Sequence, residues 1–241
     1  MNQDLLVNKY EKKGYVVIKN FLSKKEINTC VNSLKNYSLK FKRKNKRDIN
    51  FTKDGKINSI HNLEKWIWTK KLRLKFPKKL LERLINGKAK NFGSEYFAKP
   101  PKSGLSSPIH QDNYYWCVNN GKGITIWVAL DKADSRNGGV FYYESSHKLG
   151  LLKHKPSFAP GSSQTIKNKS KLKKLKMITP KLKSGDCIVH NAMIVHGSNK
   201  NFSTNSRRGI TVRYIAKYSK IIKVLKENYE KNLIKQNSKY I

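Results

Sequence analysis

The chain has 241 residues, 37% of them apolar, with a formal net charge of +37. That length suits one domain with a sizeable core, and no run of about 18 apolar residues exists to form a transmembrane helix. Three widely spaced cysteines, Cys30, Cys117 and Cys187, offer neither a CxxC motif nor an even disulfide framework, which fits a reducing cytoplasm.

In chain order, Gly14 to Lys19 is a short β-branched strand. Ser23 and Glu26 form a capping box, which predicts a helix from about Lys24 to about Tyr37 with Ile27, Val31 and Leu34 facing inward. Residues 40–60 are basic and polar, with a turn at Asp54-Gly55. Residues 61–90 are helical in pattern and broken at Pro77, residues 91–99 form a strand, and residues 100–104 a loop. From Ile109 onward, short strands alternate with Gly- and Asn-rich turns: 109–118, 123–130, 139–143, 176–182, 186–190, 193–197 and 208–218. That spacing marks an antiparallel barrel or jelly roll. Residues 145–175 are a basic excursion, either lid or loop, and residues 219–241 a charged helix. The whole is expected to be one domain, mainly β with helical additions.

The charge has two readings. It suits a polyanion partner such as nucleic acid. It also suits compositional drift, since Lys, Asn and Ile are abundant together and the lysines are scattered. Runs such as Lys42-Arg43-Lys44 and Lys171-Leu172-Lys173-Lys174 look solvated. No recognition helix, zinc finger or RNA-binding signature accompanies them, so nucleic acid is not the favoured partner.

His110-Gln111-Asp112 opens one predicted strand. Side chains at i and i+2 share a face, so His110 and Asp112 point together. Downstream, His196-Gly197-Ser198 ends an apolar strand. Two imidazoles and one carboxylate make the facial triad of non-haem Fe(II) oxygenases, with three cis positions left open. His190 lies six residues before His196 and competes with it for the ligand role. Arg207 begins the next strand; an antiparallel pairing with the His196 strand is expected to bring it beside the metal, where a guanidinium holds a carboxylate bidentately.

These motifs resemble the phytanoyl-CoA dioxygenases. The family pattern Lys-Pro-Pro-x-x-Gly followed by His-Gln-Asp is matched by Lys99-Pro100-Pro101-Lys102-Ser103-Gly104 and His110-Gln111-Asp112. Trp127-Val128-Ala129-Leu130-Asp131, Asn137-Gly138, Ser146-His147-Lys148, Gly185-Asp186, His196-Gly197-Ser198, Asn201 and Arg207 follow in the family's order. The likeness runs from about residue 14 to about residue 214. One departure is Glu144-Ser145 where the family has Pro-Gly. The resemblance implies a double-stranded β-helix (jelly roll, cupin-like), Fe(II) held by His110, Asp112 and His196, and 2-oxoglutarate held by Arg207, with Arg208 as the alternative anchor. It places Trp127 and Ser198 along the co-substrate pocket. It implies O₂-dependent hydroxylation of a small organic substrate, and the positive charge would favour an anionic one, although drift explains that charge as well; the carboxylate at Asp112, where related halogenases have a small residue, favours hydroxylation over halogenation. Tyr114 and Trp116 are expected either to wall the substrate site or to pack in the core. His147 is expected to hold its loop, Asp186 to serve its turn, and His61 and His154 to face solvent.

Overall fold

The structure is a computed structural model that describes residues 2–41, 48–52, 54–102, 104–159 and 162–238. The run Lys42-Arg43-Lys44 lies outside the described residues. A helix α1 (Gln3–Lys13) opens the chain and stops at Gly14, whose φ of 84° suits a left-handed cap. Strand β1 (Tyr15–Ile18) and helix α2 (Lys24–Phe41) follow. The capping box holds: Ser23 N–H donates to Glu26 Oε2 at 2.8 Å and Glu26 N–H to Ser23 Oγ at 3.3 Å. The polar stretch near residue 50 pairs as β2 (Ile49–Phe51) and β3 (Ile57–Ile60). Pro77 separates α3 (Ile67–Lys75) from α4 (Lys78–Ile85), and β4 (Ala89–Lys99) follows. Then come β5 (Ser107–His110), α5 (Asp112–Trp116), β6 (Gly123–Ala129) and β7 (Val140–Tyr143). The basic excursion folds as the pair β8 (His154–Ala159) and β9 (Ser162–Ile166). The chain closes with β10 (Met177–Ile178), β11 (Cys187–Asn191), β12 (His196–Ser198), β13 (Arg207–Ala216) and α6 (Lys223–Asn237).

Among the described residues, one sheet has seven strands in the order β1-β11-β6-β13-β4-β3-β2 and the other has four in the order β10-β7-β12-β5. The pairs within these two sheets are antiparallel, giving the jelly-roll, cupin-like fold. Alternation along β6 explains the layering. Ile124, Ile126 and Val128 pack with Leu6, Leu34, Leu80 and Leu84 of the helices on the outer face. Trp127 and Ala129 face inward with Ile188, Tyr142 and Ile194. Both faces of β6 are covered, so every residue of it is buried, and each fully buried aliphatic side chain contributes about 1.5–3 kcal/mol.

Three strand expectations are corrected. The strand expected over 193–197, with His196 near its end, instead begins at His196 and runs to Ser198. The strand expected over 109–118 ends at His110, and Asp112 begins α5. The strand bearing Arg207 does not pair with the strand bearing His196: β13 lies between β6 and β4, while β12 belongs to the smaller sheet. Helix α1, unanticipated, packs through Leu6, Val7 and Tyr10.

Candidate metal centre and its cavity

β5 and β12 pair so that His110 and His196 are direct cross-strand partners, with ring centroids 4.3 Å apart. Gln111, between the two ligands of the His-x-Asp motif, is fully buried. Its amide donates to Gly150 O at 2.8 Å and Met193 O at 2.6 Å and accepts from Leu152 N–H at 2.8 Å. That clamp fixes the exit of the strand, and Asp112 swings back to the imidazoles from the first turn of α5. Its Oδ1 lies 3.8 Å from His110 Nε2 and 3.6 Å from His196 Nε2. One donor atom from each of the three residues falls within 4.8 Å of the others.

Nδ1 of His110 meets Pro108 O at 2.8 Å and Nδ1 of His196 meets Ile194 O at 3.1 Å. A carbonyl only accepts, so each Nδ1 carries the proton and each Nε2 lone pair faces the third ligand. Burial pushes the His196 pKa down to about 3 and also lowers that of His110. Burial alone would raise the Asp112 pKa, but the surrounding His196, His190 and His110 outweigh it and hold the carboxylate ionised. Two neutral imidazoles and one carboxylate suit a borderline divalent ion such as Fe(II).

His190 is not one of these donors. Its Nε2 lies 3.1 Å from the other carboxylate oxygen, Asp112 Oδ2, and its Nδ1 lies 3.0 Å from Tyr142 Oη. Thr125 Oγ1 donates to the same Oδ2 at 2.5 Å. The outer oxygen is therefore occupied by two protein donors and Oδ1 is left to the imidazoles.

The triad opens into a cavity of about 760 Å³. Arg207, Trp127 and Ser198 are all buried and all line it. Arg207 reaches in from the opposite sheet, where it pairs with Lys99. Its Nε donates to Gly138 O at 3.0 Å and its guanidinium lies 5.5 Å from the Trp127 ring. Burial lowers its pKa to about 10, which leaves it charged at neutral pH. Lys99 donates to Leu105 O, and burial, assisted by Arg207, lowers its pKa to about 6, so Arg207 carries the charge at this end. Arg208 faces the other way and is fully engaged: Nε and Nη2 each reach Asp131 at 2.8 Å.

Several expected surroundings change. His154 is buried rather than solvent-facing: it stacks on Tyr114 at 4.0 Å and accepts Gln111 N–H at 3.2 Å. His61 lines the cavity and lies 2.7 Å from Glu95 Oε1. Because residues 112–116 are helical, Tyr115 joins Trp116 on the cavity wall while Tyr114 turns to His154 and Asn232. Tyr115 meets His110 edge-on at 5.5 Å. Helix α6 supplies Tyr229, Leu233 and Gln236 to the wall; its helical pattern is legible in the sequence, but not the surface it covers. His147 Nε2 lies 3.0 Å from Glu11 O and ties its loop to α1. Asp186 caps its turn by accepting from Asn20 N–H and Lys183 N–H, each at 2.9 Å. No helix among the described residues is long and apolar enough to cross a membrane.

The phytanoyl-CoA dioxygenase (PhyH) family model matches residues 10–209. The chain is similar to phytanoyl-CoA dioxygenase 1 of Oryza sativa subsp. japonica, 29% identical over 123 residues, which cover 51% of this chain and 43% of the relative. It is also similar to the peroxisomal phytanoyl-CoA dioxygenase of Bos taurus, 25% identical over 151 residues, covering 56% and 43%. The chain thus spans less than half the length of these relatives. In fold it is similar to the non-heme alpha ketoglutarate dependent epimerase SnoN, with a TM-score of 0.73, 18% identity, and 92% and 88% of the two chains covered. EctD from S. alaskensis with bound Fe gives 0.73 and 18%, covering 87% and 75%. With the family model spanning most of the sequence and its motifs converging on one cavity, the chain belongs to the phytanoyl-CoA dioxygenase family.

Proposed function

We propose that this protein is an Fe(II)- and 2-oxoglutarate-dependent dioxygenase that hydroxylates a C–H bond of a small organic substrate. The observation that carries the reading is the convergence of His110, Asp112 and His196 donor atoms within 4.8 Å in the cavity that also holds the Arg207 guanidinium. The family membership and the 2-oxoglutarate and iron named for its structural neighbours support it.

Bound iron would supply the redox chemistry that couples O₂ to decarboxylation: substrate C–H, O₂ and 2-oxoglutarate give substrate C–OH, succinate and CO₂. The chain's own residues position and shield. His110 and His196 present Nε2 and Asp112 presents Oδ1 from one side, which leaves the cavity side open to co-substrate. Arg207 holds the distal carboxylate of 2-oxoglutarate, with Trp127 and Ser198 beside it. His190 and Thr125 fix Asp112, and Tyr115 and Tyr229 limit water. A reducing cytoplasm would keep such a site ferrous.

Anaerobic titration with Fe(II) and then 2-oxoglutarate tests this through the visible metal-to-ligand charge-transfer band. The band is expected in the wild type, absent in His196→Ala, and lost or weakened in Arg207→Ala. A wild type without the band refutes the reading.

A further inference from the structure

Arg207 has a counterpart on its own strand. Arg207, Thr211 and Arg213 all line the cavity, as alternation along β13 requires. The six-residue step between the arginines spans about 20 Å of extended strand. Arg213 pairs across the ladder with Thr125, whose hydroxyl holds Asp112 at 2.5 Å. It therefore stands next to the metal position, at the end of the cavity away from the Arg207 backbone.

Arg213 is set in place by three neighbours. Its Nη1 lies 3.2 Å from Glu95 Oε2, while Glu95 Oε1 is 2.7 Å from His61 Nδ1. Gly93, at φ 147°, is its floor: a Cβ there would stand 2.5 Å from Arg213 Nη2. The Trp116 ring lies 6.0 Å from its Cζ. Yet, unlike Arg207 and Arg208, Arg213 donates no side-chain hydrogen bond among the described residues, and its Nε–H is buried without an acceptor. A guanidinium has five N–H donors. Glu95 is set against Nη1, which leaves the Nε–H without an acceptor.

We propose that Arg213 binds a carboxylate of the substrate, so that the molecule oxidised is a small organic acid. The inference rests on the function proposed above. Asp112 goes to the metal. 2-Oxoglutarate, chelating at one end, uses one arginine at its other end, and Arg207 fills that role. The remaining fork of N–H donors beside the triad matches a planar oxyanion. A carboxylate on Arg213 directs the carbon chain past Thr125 toward the metal position, along the wall formed by Tyr115 and Tyr229, whose rings meet edge-on at 5.6 Å. The cavity volume is within the range that holds small-molecule ligands.

The test uses the whole 241-residue chain, anaerobic, loaded with Fe(II) and saturated with 2-oxoglutarate so that Arg207 is occupied. Calorimetry compares hexanoate with hexanamide and phenylacetate with phenylacetamide. The wild type is expected to bind each acid at least about tenfold more tightly than its amide, as a charge-assisted bidentate contact requires. Arg213→Gln should erase that preference while keeping the charge-transfer band, and Arg213→Lys should keep part of it. Equal binding or no binding of acid and amide by the wild type overturns the proposal. So does an undiminished preference in Arg213→Gln, or a band lost in Arg213→Gln but kept in Arg207→Gln. A wild type without the band refutes the cofactor reading instead, and the same ligands titrated into the metal-free protein still report on Arg213.

Discussion

His190 Nε2 lies 3.1 Å from Asp112 Oδ2, the carboxylate oxygen turned away from the other two imidazoles. With Tyr142 donating its hydroxyl proton to Nδ1 across 3.0 Å, the Nε2–H points at Asp112 and fixes the tautomer. His190 is a positioning residue. His190→Ala is expected to weaken Fe(II) binding about 10- to 100-fold, and His190→Gln, which keeps a donor, to recover part of the loss. Anaerobic metal titration decides it; an unchanged affinity in His190→Ala would leave the residue a packing role only.

Arg207 and Arg208 are adjacent but face opposite sides of β13, and their variants should separate. Arg207→Gln is expected to bind Fe(II) yet give no band with 2-oxoglutarate. Arg208→Gln should keep the band and lose about 1 kcal/mol or less in urea unfolding, since its pair with Asp131 is partly exposed. The reverse pattern would assign the co-substrate anchor to Arg208.

His154 makes stability depend on pH. Burial lowers its pKa to about 3 in the fold, against about 6.5 for an unfolded histidine. Between those values the unfolded chain binds the extra proton. The contribution is therefore intact above about pH 6.5 and is lost as pH falls, by about 1.4 kcal/mol at pH 5.5. His110 and His196 act with the same sign in metal-free protein, so the readout is the difference between wild type and His154→Gln. The variant should lose less stability between pH 7.5 and 5.5 in urea titrations; parallel curves would contradict the assignment.

Asn232 anchors α6 over the cavity. Its amide donates to Tyr114 Oη at 2.8 Å, with Gln164 Oε1 at 3.3 Å, and Gln236 Oε1 accepts Phe158 N–H at 2.7 Å. Asn232→Ala should speed hydrogen exchange across residues 223–237 while leaving Fe(II) affinity unchanged. Exchange equal to wild type would show that apolar contacts alone hold the helix.

Much of this protein is legible along the chain because its signals are local. The Ser23–Glu26 box, the break at Pro77, and the short strands after Ile109 each depend on neighbours a few residues away. The three donor residues were also legible, since a His-x-Asp and a distant His-Gly-Ser fall in a fixed order. A shared strand face does not join His110 to Asp112; a buried Gln111 ends the strand and a helical turn returns the carboxylate. Periodicity reports which face of an element is buried, but not which element arrives opposite. That is decided by sheet pairing across the chain, and it placed Arg207 in the sheet facing His196, His190 behind the carboxylate, α6 on the cavity wall, and Arg213 with unspent donors beside the triad.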